Sequence, residues 1–188
     1  MCILICMSSS NLSLLEAFPQ AVRADALIAI SGLPEVSTTS HAFSVSVGPE
    51  VLTIPYRIYH DPSLIRSKGL TRTQGELLAC LLTRHHDGFV REQQLRSVLA
   101  SKSAWVPPFV IQLVGENVIE IINEIRDNLD QLSPGAYGSF LRQNADFYQL
   151  IQERVLSYWN CYHRDQQRAD YAGFQVLEAF DRFGRSIL

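Results

Sequence analysis

"FVIQLVGENVIEIINEIRDNLDQL", residues 109–132, is the longest and most apolar stretch of the chain. Val110, Leu113, Val114, Val118, Ile121, Ile122, Ile125 and Leu129 recur in it at close to helical spacing. A helix with so wide an apolar stripe has to be covered on most sides, so this stretch predicts one long helix running through a core. Trp105-Val106-Pro107-Pro108 marks its start, since proline is tolerated in a first turn but not later. Ser133-Pro134-Gly135 is read as its end. The chain is therefore expected to be mainly α, and the other segments arrange themselves around this one.

On the C-terminal side, "NADFYQLIQERVLSYWNCYHRD" (144–165) and "YAGFQVLEAFDRF" (171–183) predict two more amphipathic helices with strongly aromatic faces. On the N-terminal side, "REQQLRSVLA" (91–100) groups Leu95, Val98 and Leu99, and "TRTQGELLACLLTRH" (71–85) groups Leu77, Leu78, Leu81 and Leu82. Residues 12–30 carry Leu14, Leu15, Phe18, Val22, Ala26 and Ile30 near helical spacing, with Pro19 limiting their regularity. One segment has the other period. In "HAFSVSVGPEVLTIPYRIY", Phe43, Val45 and Val47 alternate with small residues, and a second alternating run follows Gly48-Pro49-Glu50. That is a β-hairpin at about 41–59, whose second strand, containing Pro55, belongs at an edge. A lone hairpin is marginally stable, so it must pack on the helices. The expected architecture is a single-domain bundle of about six helices over 12–188 with this hairpin against it.

The 188 residues suffice for one well-buried domain, and a composition 47% hydrophobic and 19% charged is that of a compact protein. A net charge of −3 gives no general attraction for a polyanion. Cys2, Cys6, Cys80 and Cys161 are too scattered for a disulfide framework or paired zinc ligands, which indicates a reducing, cytoplasmic setting. No run is long enough to span a bilayer, and "MCILICM" lacks the basic flank of a signal peptide. Residues 1–11 are expected to be disordered or to reflect an upstream start, because Met7 begins a more natural N-terminus.

Chemistry concentrates in "LLTRHHDGFVREQQL", residues 81–95. A His, a His-Asp pair at a helix end and a distant Asp resemble the ligand order of HD-type metal-dependent phosphohydrolases. The resemblance implies His60, His86 and Asp87 as metal ligands, with Asp127 or Asp130 on a later helix, holding a divalent ion that acidifies water. Residues 69–99 also resemble the first two helices of winged-helix DNA-binding domains of bacterial response regulators. That resemblance implies a following helix that presents basic and amide side chains to bases. The next helix instead carries Glu116, Glu120, Glu124 and Asp127, with only Arg126 basic, and acidic groups repel phosphates. The structural reading treats the stretch as a helix joint. Arg84, His85 and His86 complement a helix C-terminus, Gly88 stops the helix in a left-handed conformation, Asp87 makes an Asx-type turn, and Val90 packs back on the core.

Two further clusters are candidate binding residues. Glu116 follows Gly115 within an apolar run and is the acidic residue expected to be partly buried; it also begins the row Glu116, Glu120, Glu124, Asp127, which shares one face of a continuous helix. "SYWNCYHRD" gathers Tyr158, Trp159, Tyr162, His163 and Arg164, a composition that suits a nucleotide or partner pocket as well as a core. No nucleophile elbow, phosphate loop, dinucleotide fingerprint or zinc signature occurs, so no cofactor is expected. The abundance of apolar and aromatic helix face points to a non-enzymatic helical interaction or regulatory protein that binds a protein partner or itself, rather than nucleic acid or membrane.

Overall fold

The computed structural model describes residues 9–38 and 41–186 of the chain. It is mainly α with a small antiparallel hairpin near the N-terminus, as the two periodicities predict. Two compact units divide the chain between Arg91 and Glu92.

The first unit opens with α1 (Ser9–Ser13), 3-10 turns at Leu14–Ala17 and Gln20–Val22, and α2 (Arg23–Ser31). Pro19 is what separates them: Phe18 is extended at φ −132° and ψ 148°, as a residue before proline is pushed to be. Strands β1 (Ser37–Thr38), β2 (Ala42–Val47), β3 (Glu50–Pro55) and β4 (Ile58–Tyr59) come next. The hairpin β2–β3 pairs Val47 with Glu50 across Gly48, whose φ of 60° favours glycine. Its inward face, Val45, Val47, Leu52 and Ile54, is buried, and β3 packs on the Leu14–Ala17 turn. Strand β1 pairs with β4 in a second two-stranded ribbon. Helix α3 (Arg72–Leu82) begins at a capping box in which the Thr71 and Gln74 side chains each accept from the other's backbone N–H. It packs on α2, where Gln74 Nε2 donates to Asp25 Oδ1 at 2.8 Å.

Helix α4 (Gly88–Val98) runs through the division between the units. The second unit continues with α5 (Pro107–Val114), α6 (Ile119–Asp127), α7 (Pro134–Gln143), α8 (Ala145–Tyr162) and α9 (Ala172–Arg185). Nine α-helices thus stand among the described residues where about six were expected.

Three local causes account for the difference. The first is Pro19. The second lies in the stretch 109–132, which is two helices rather than one. A Cβ on Gly115 would sit 2.8 Å from Ile151 Cδ1 of α8, so α5 ends on a glycine in close contact with another helix. The chain then extends through Val118 (φ −130°, ψ 96°) before α6 begins. Every side chain of α5 is buried, whereas α6 buries Ile121, Ile122 and Ile125. The third cause is α7, which was not read as an element because Ser133-Pro134-Gly135 reads as a helix end. It is a helix start: the Ser133 hydroxyl accepts from Ala136 N–H at 3.5 Å and proline occupies the first turn.

Of the N-terminal segment 1–11 expected to be disordered or mis-started, residues 1–8 lie outside the described residues and Ser9–Asn11 belong to α1. Among the described residues no helix is long and apolar enough to cross a membrane.

Candidate functional site

The His-His-Asp stretch folds onto β4 in the first unit. Ile58 N–H donates to the Arg84 carbonyl at 2.9 Å, and His86 N–H donates to the Ile58 carbonyl at 3.0 Å, forming a parallel bridge just past the end of α3. This brings His60, two residues beyond Ile58, against His85, with ring centroids 4.6 Å apart. His85 in turn contacts His86 at 4.4 Å, and His86 stacks on Tyr59 at 5.1 Å. The result is a row of four rings, His60–His85–His86–Tyr59.

His85 is fully buried and both its nitrogens are engaged. Nδ1 accepts from Asp87 N–H at 3.1 Å, so the ring proton lies on Nε2, which donates to the His60 carbonyl at 3.1 Å. Burial holds its pKa below the ordinary histidine value, and the nearby His86 and Arg91 act in the same direction. His60 is half-buried, and neither ring nitrogen has a hydrogen-bond partner among the described residues. Its pKa is also lowered, chiefly by desolvation.

Two arginines frame the row. Arg84 is the largest fully buried side chain and its Nη2 donates to the Tyr56 carbonyl at 3.4 Å. Arg91 is buried too, and its Nη1 donates to both the His85 carbonyl (2.9 Å) and the His86 carbonyl (2.8 Å). Asp87 completes the joint: its carboxylate accepts from Phe89 N–H at 2.8 Å and its carbonyl accepts from Arg91 N–H at 3.2 Å. The Asx-type turn is therefore present. Gly88 corrects the expected left-handed stop, because it has no positive φ and is the first residue of α4.

His60, His86 and Asp87 are thus neighbours, separated by the His85 ring and with the Asp87 carboxylate occupied by a backbone amide. Among the described residues no group of three or more His, Cys, Asp or Glu side chains could hold a metal ion. What the joint presents outward is aromatic. Phe89 is 83% exposed and Tyr59 43% exposed, with the exposed His86 stacked on Tyr59 and three residues before Phe89.

The other candidates separate cleanly. Glu116 is 3% exposed, in the turn between α5 and α6. The acidic row shares no single helix face, because that turn interrupts it. Glu120 is exposed, Glu124 bonds Arg96 of α4 at 2.9 Å, and Asp127 bonds Arg126 at 2.8 Å. In the aromatic cluster, Trp159 Nε1 donates to the Gln166 carbonyl at 3.2 Å, and the Arg168 guanidinium lies over Trp159 and Phe174. His163 stacks on Tyr171 at 5.0 Å and Tyr158 stacks on Tyr162. Trp159, His163 and Tyr171 therefore clamp the turn between α8 and α9, while Tyr162 and Arg164 stay exposed. From the sequence, Arg84 and His85 read only as charges complementing a helix C-terminus and Arg91 was not singled out as part of the joint, yet these three hold it. Arg91 carried a signal: a cation near a helix N-terminus opposes the macrodipole unless it serves something outside the helix.

Comparison with protein-family models finds no match, and neither the curated proteins nor the solved structures match the chain.

Proposed function

We propose that this protein is a non-enzymatic helical interaction protein that self-associates through the aromatic ledge of Tyr59, His86 and Phe89. The observation that carries this is the 83% exposure of Phe89 on a joint held by the buried, hydrogen-bonded Arg84, His85 and Arg91. Burying a phenylalanine would stabilise the chain by about 1.5–3 kcal/mol, and here that gain is left for a partner surface to supply. Exposed aromatics on a rigid base are the usual anchors of protein contacts, because little conformational freedom is lost when they dock. Burial of every side chain of α5 supports this role over base reading, since the helix following α4 offers nothing to a groove. A reducing, cytoplasmic setting accords with Cys80 and Cys161 being free, one buried and one exposed.

Sedimentation velocity of the full chain over a wide concentration range tests the proposal. The wild type is expected to sediment faster as concentration rises, and Phe89→Ser to remain monomeric with an unchanged unfolding midpoint. A wild type that stays monomeric throughout sinks self-association. A Phe89→Ser variant that associates as well as wild type moves the contact elsewhere.

A further inference from the structure

The second unit holds a pocket that the ledge does not involve. It has a volume of about 400 Å³ and lies where the end of α7, the start of α8 and the end of α9 diverge. It is open to solvent, and the buried Leu141 and Phe180 lie at its base. Two cations stand at it. Arg142 Nη1 donates to the Gly184 carbonyl at 3.1 Å, and Arg185 Nε donates to the Asp181 carbonyl at 3.1 Å. Each guanidinium is thereby anchored through one nitrogen on a backbone carbonyl of α9, and among the described residues neither forms an ion pair with a carboxylate. Their remaining N–H donors keep the planar geometry that matches a carboxylate or phosphate.

The acidic group at the pocket is already engaged. Asp181 Oδ1 accepts from the Tyr148 hydroxyl at 2.7 Å, and the same hydroxyl lies 3.1 Å from the Leu177 carbonyl. Burial and the Asp181 carboxylate push Tyr148 ionisation upward, so the phenol stays neutral and donating. The local charge is two cations against one hydrogen-bonded anion. Gly184 is a second, independent observation. It is an α9 residue that lines the pocket with no positive φ, and a Cβ built there meets nothing within 4 Å. A helix position without packing or backbone need for glycine would be better filled by alanine. Here the missing side chain leaves the pocket open beside the two arginines.

We infer that this pocket binds a small organic anion, its carboxylate or phosphate head held between Arg142 and Arg185. Two convergent guanidiniums, each with N–H donors to spare, are the recognition elements such a head requires.

The test uses the full-length protein and the fluorescent amphipathic sulfonate 8-anilinonaphthalene-1-sulfonate, titrated at low ionic strength. Saturable binding is expected, displaced by octanoate or by octyl phosphate but not by 1-octanol; which of the two anions displaces better assigns the head group. The Arg142→Gln/Arg185→Gln double variant is expected to bind at least about tenfold more weakly, equivalent to about 1.4 kcal/mol. Gly184→Leu fills the opening with a better helix former, so it is expected to abolish saturable binding without lowering the unfolding midpoint. Absence of saturable binding overturns the inference. So does equal displacement by 1-octanol, or undiminished binding to both variants. Phe89→Ser is expected to bind the probe like wild type, which keeps this outcome separate from the fate of the aromatic ledge.

Discussion

The proton on His85 is confined to Nε2 because a backbone amide faces Nδ1, and this one assignment ties β4 to α4 through the His60 carbonyl and Asp87 N–H. Arg91 closes the same joint from the helix side. Removing it as Arg91→Ala leaves the His85 and His86 carbonyls without their charged donor. Loss of about 1.5–3 kcal/mol is expected, measured as the shift in chemical unfolding, whereas Phe89→Ser, two residues away, should cost little. Protonation is costly here for the same reason. Burial holds both His60 and His85 below their ordinary value of 6.5. Below that pH the unfolded chain therefore binds protons that the folded chain resists. The stability is fully present above the unfolded value and is lost as the pH falls below it toward the folded values. The thermal midpoint should drop between about pH 7 and about pH 5, and His60→Gln should flatten that slope. An equal slope in the variant would remove His60 from the account. His85, His86 and Asp87 were all conspicuous in the sequence, but the burial of His85 was not legible there, because it depends on the chain just past β4 arriving from 25 residues upstream.

Glycine permits a close backbone approach between α7 and α9. A Cβ on Gly138 of α7 would lie 2.3 Å from the Phe183 carbonyl oxygen and 3.0 Å from its carbonyl carbon, both backbone atoms of α9 that cannot swing aside. Gly138→Ala is expected to destabilise the second unit by about 1–3 kcal/mol through forced separation of the two helices, read from denaturant unfolding. Stability equal to wild type would mean that α7 and α9 do not cross there. The same residue type hid α7 from sequence reading, since Ser133-Pro134-Gly135 reads as a helix end, while serine and proline in that order also open a helix. Gly115 had the converse effect. The apolar positions on both sides of it are real core positions, and Val110, Leu113, Val114, Ile121, Ile122 and Ile125 are all buried, but they belong to two helices.

At the scale of the whole molecule, the net charge of −3 offers copies little mutual repulsion, and the proposed contact is apolar. Its association should therefore change little with added salt, whereas anion binding by Arg142 and Arg185 should weaken. The mainly helical class, the β-hairpin, the start of α5 at its prolines and the core leucines of α3 and α4 were legible in the sequence. Each follows from a local rule: residue periodicity, the fixed φ of proline, or the left-handed freedom of Gly48. The break after α5, the presence of α7, the neutral His85, the two hydrogen bonds from Arg91 and the pocket beside Gly184 were decided only by the tertiary structure. Hydrogen-bond partners, the space around a glycine and the desolvation of a charge depend on atoms far away in the chain, and no local pattern records which atoms those will be.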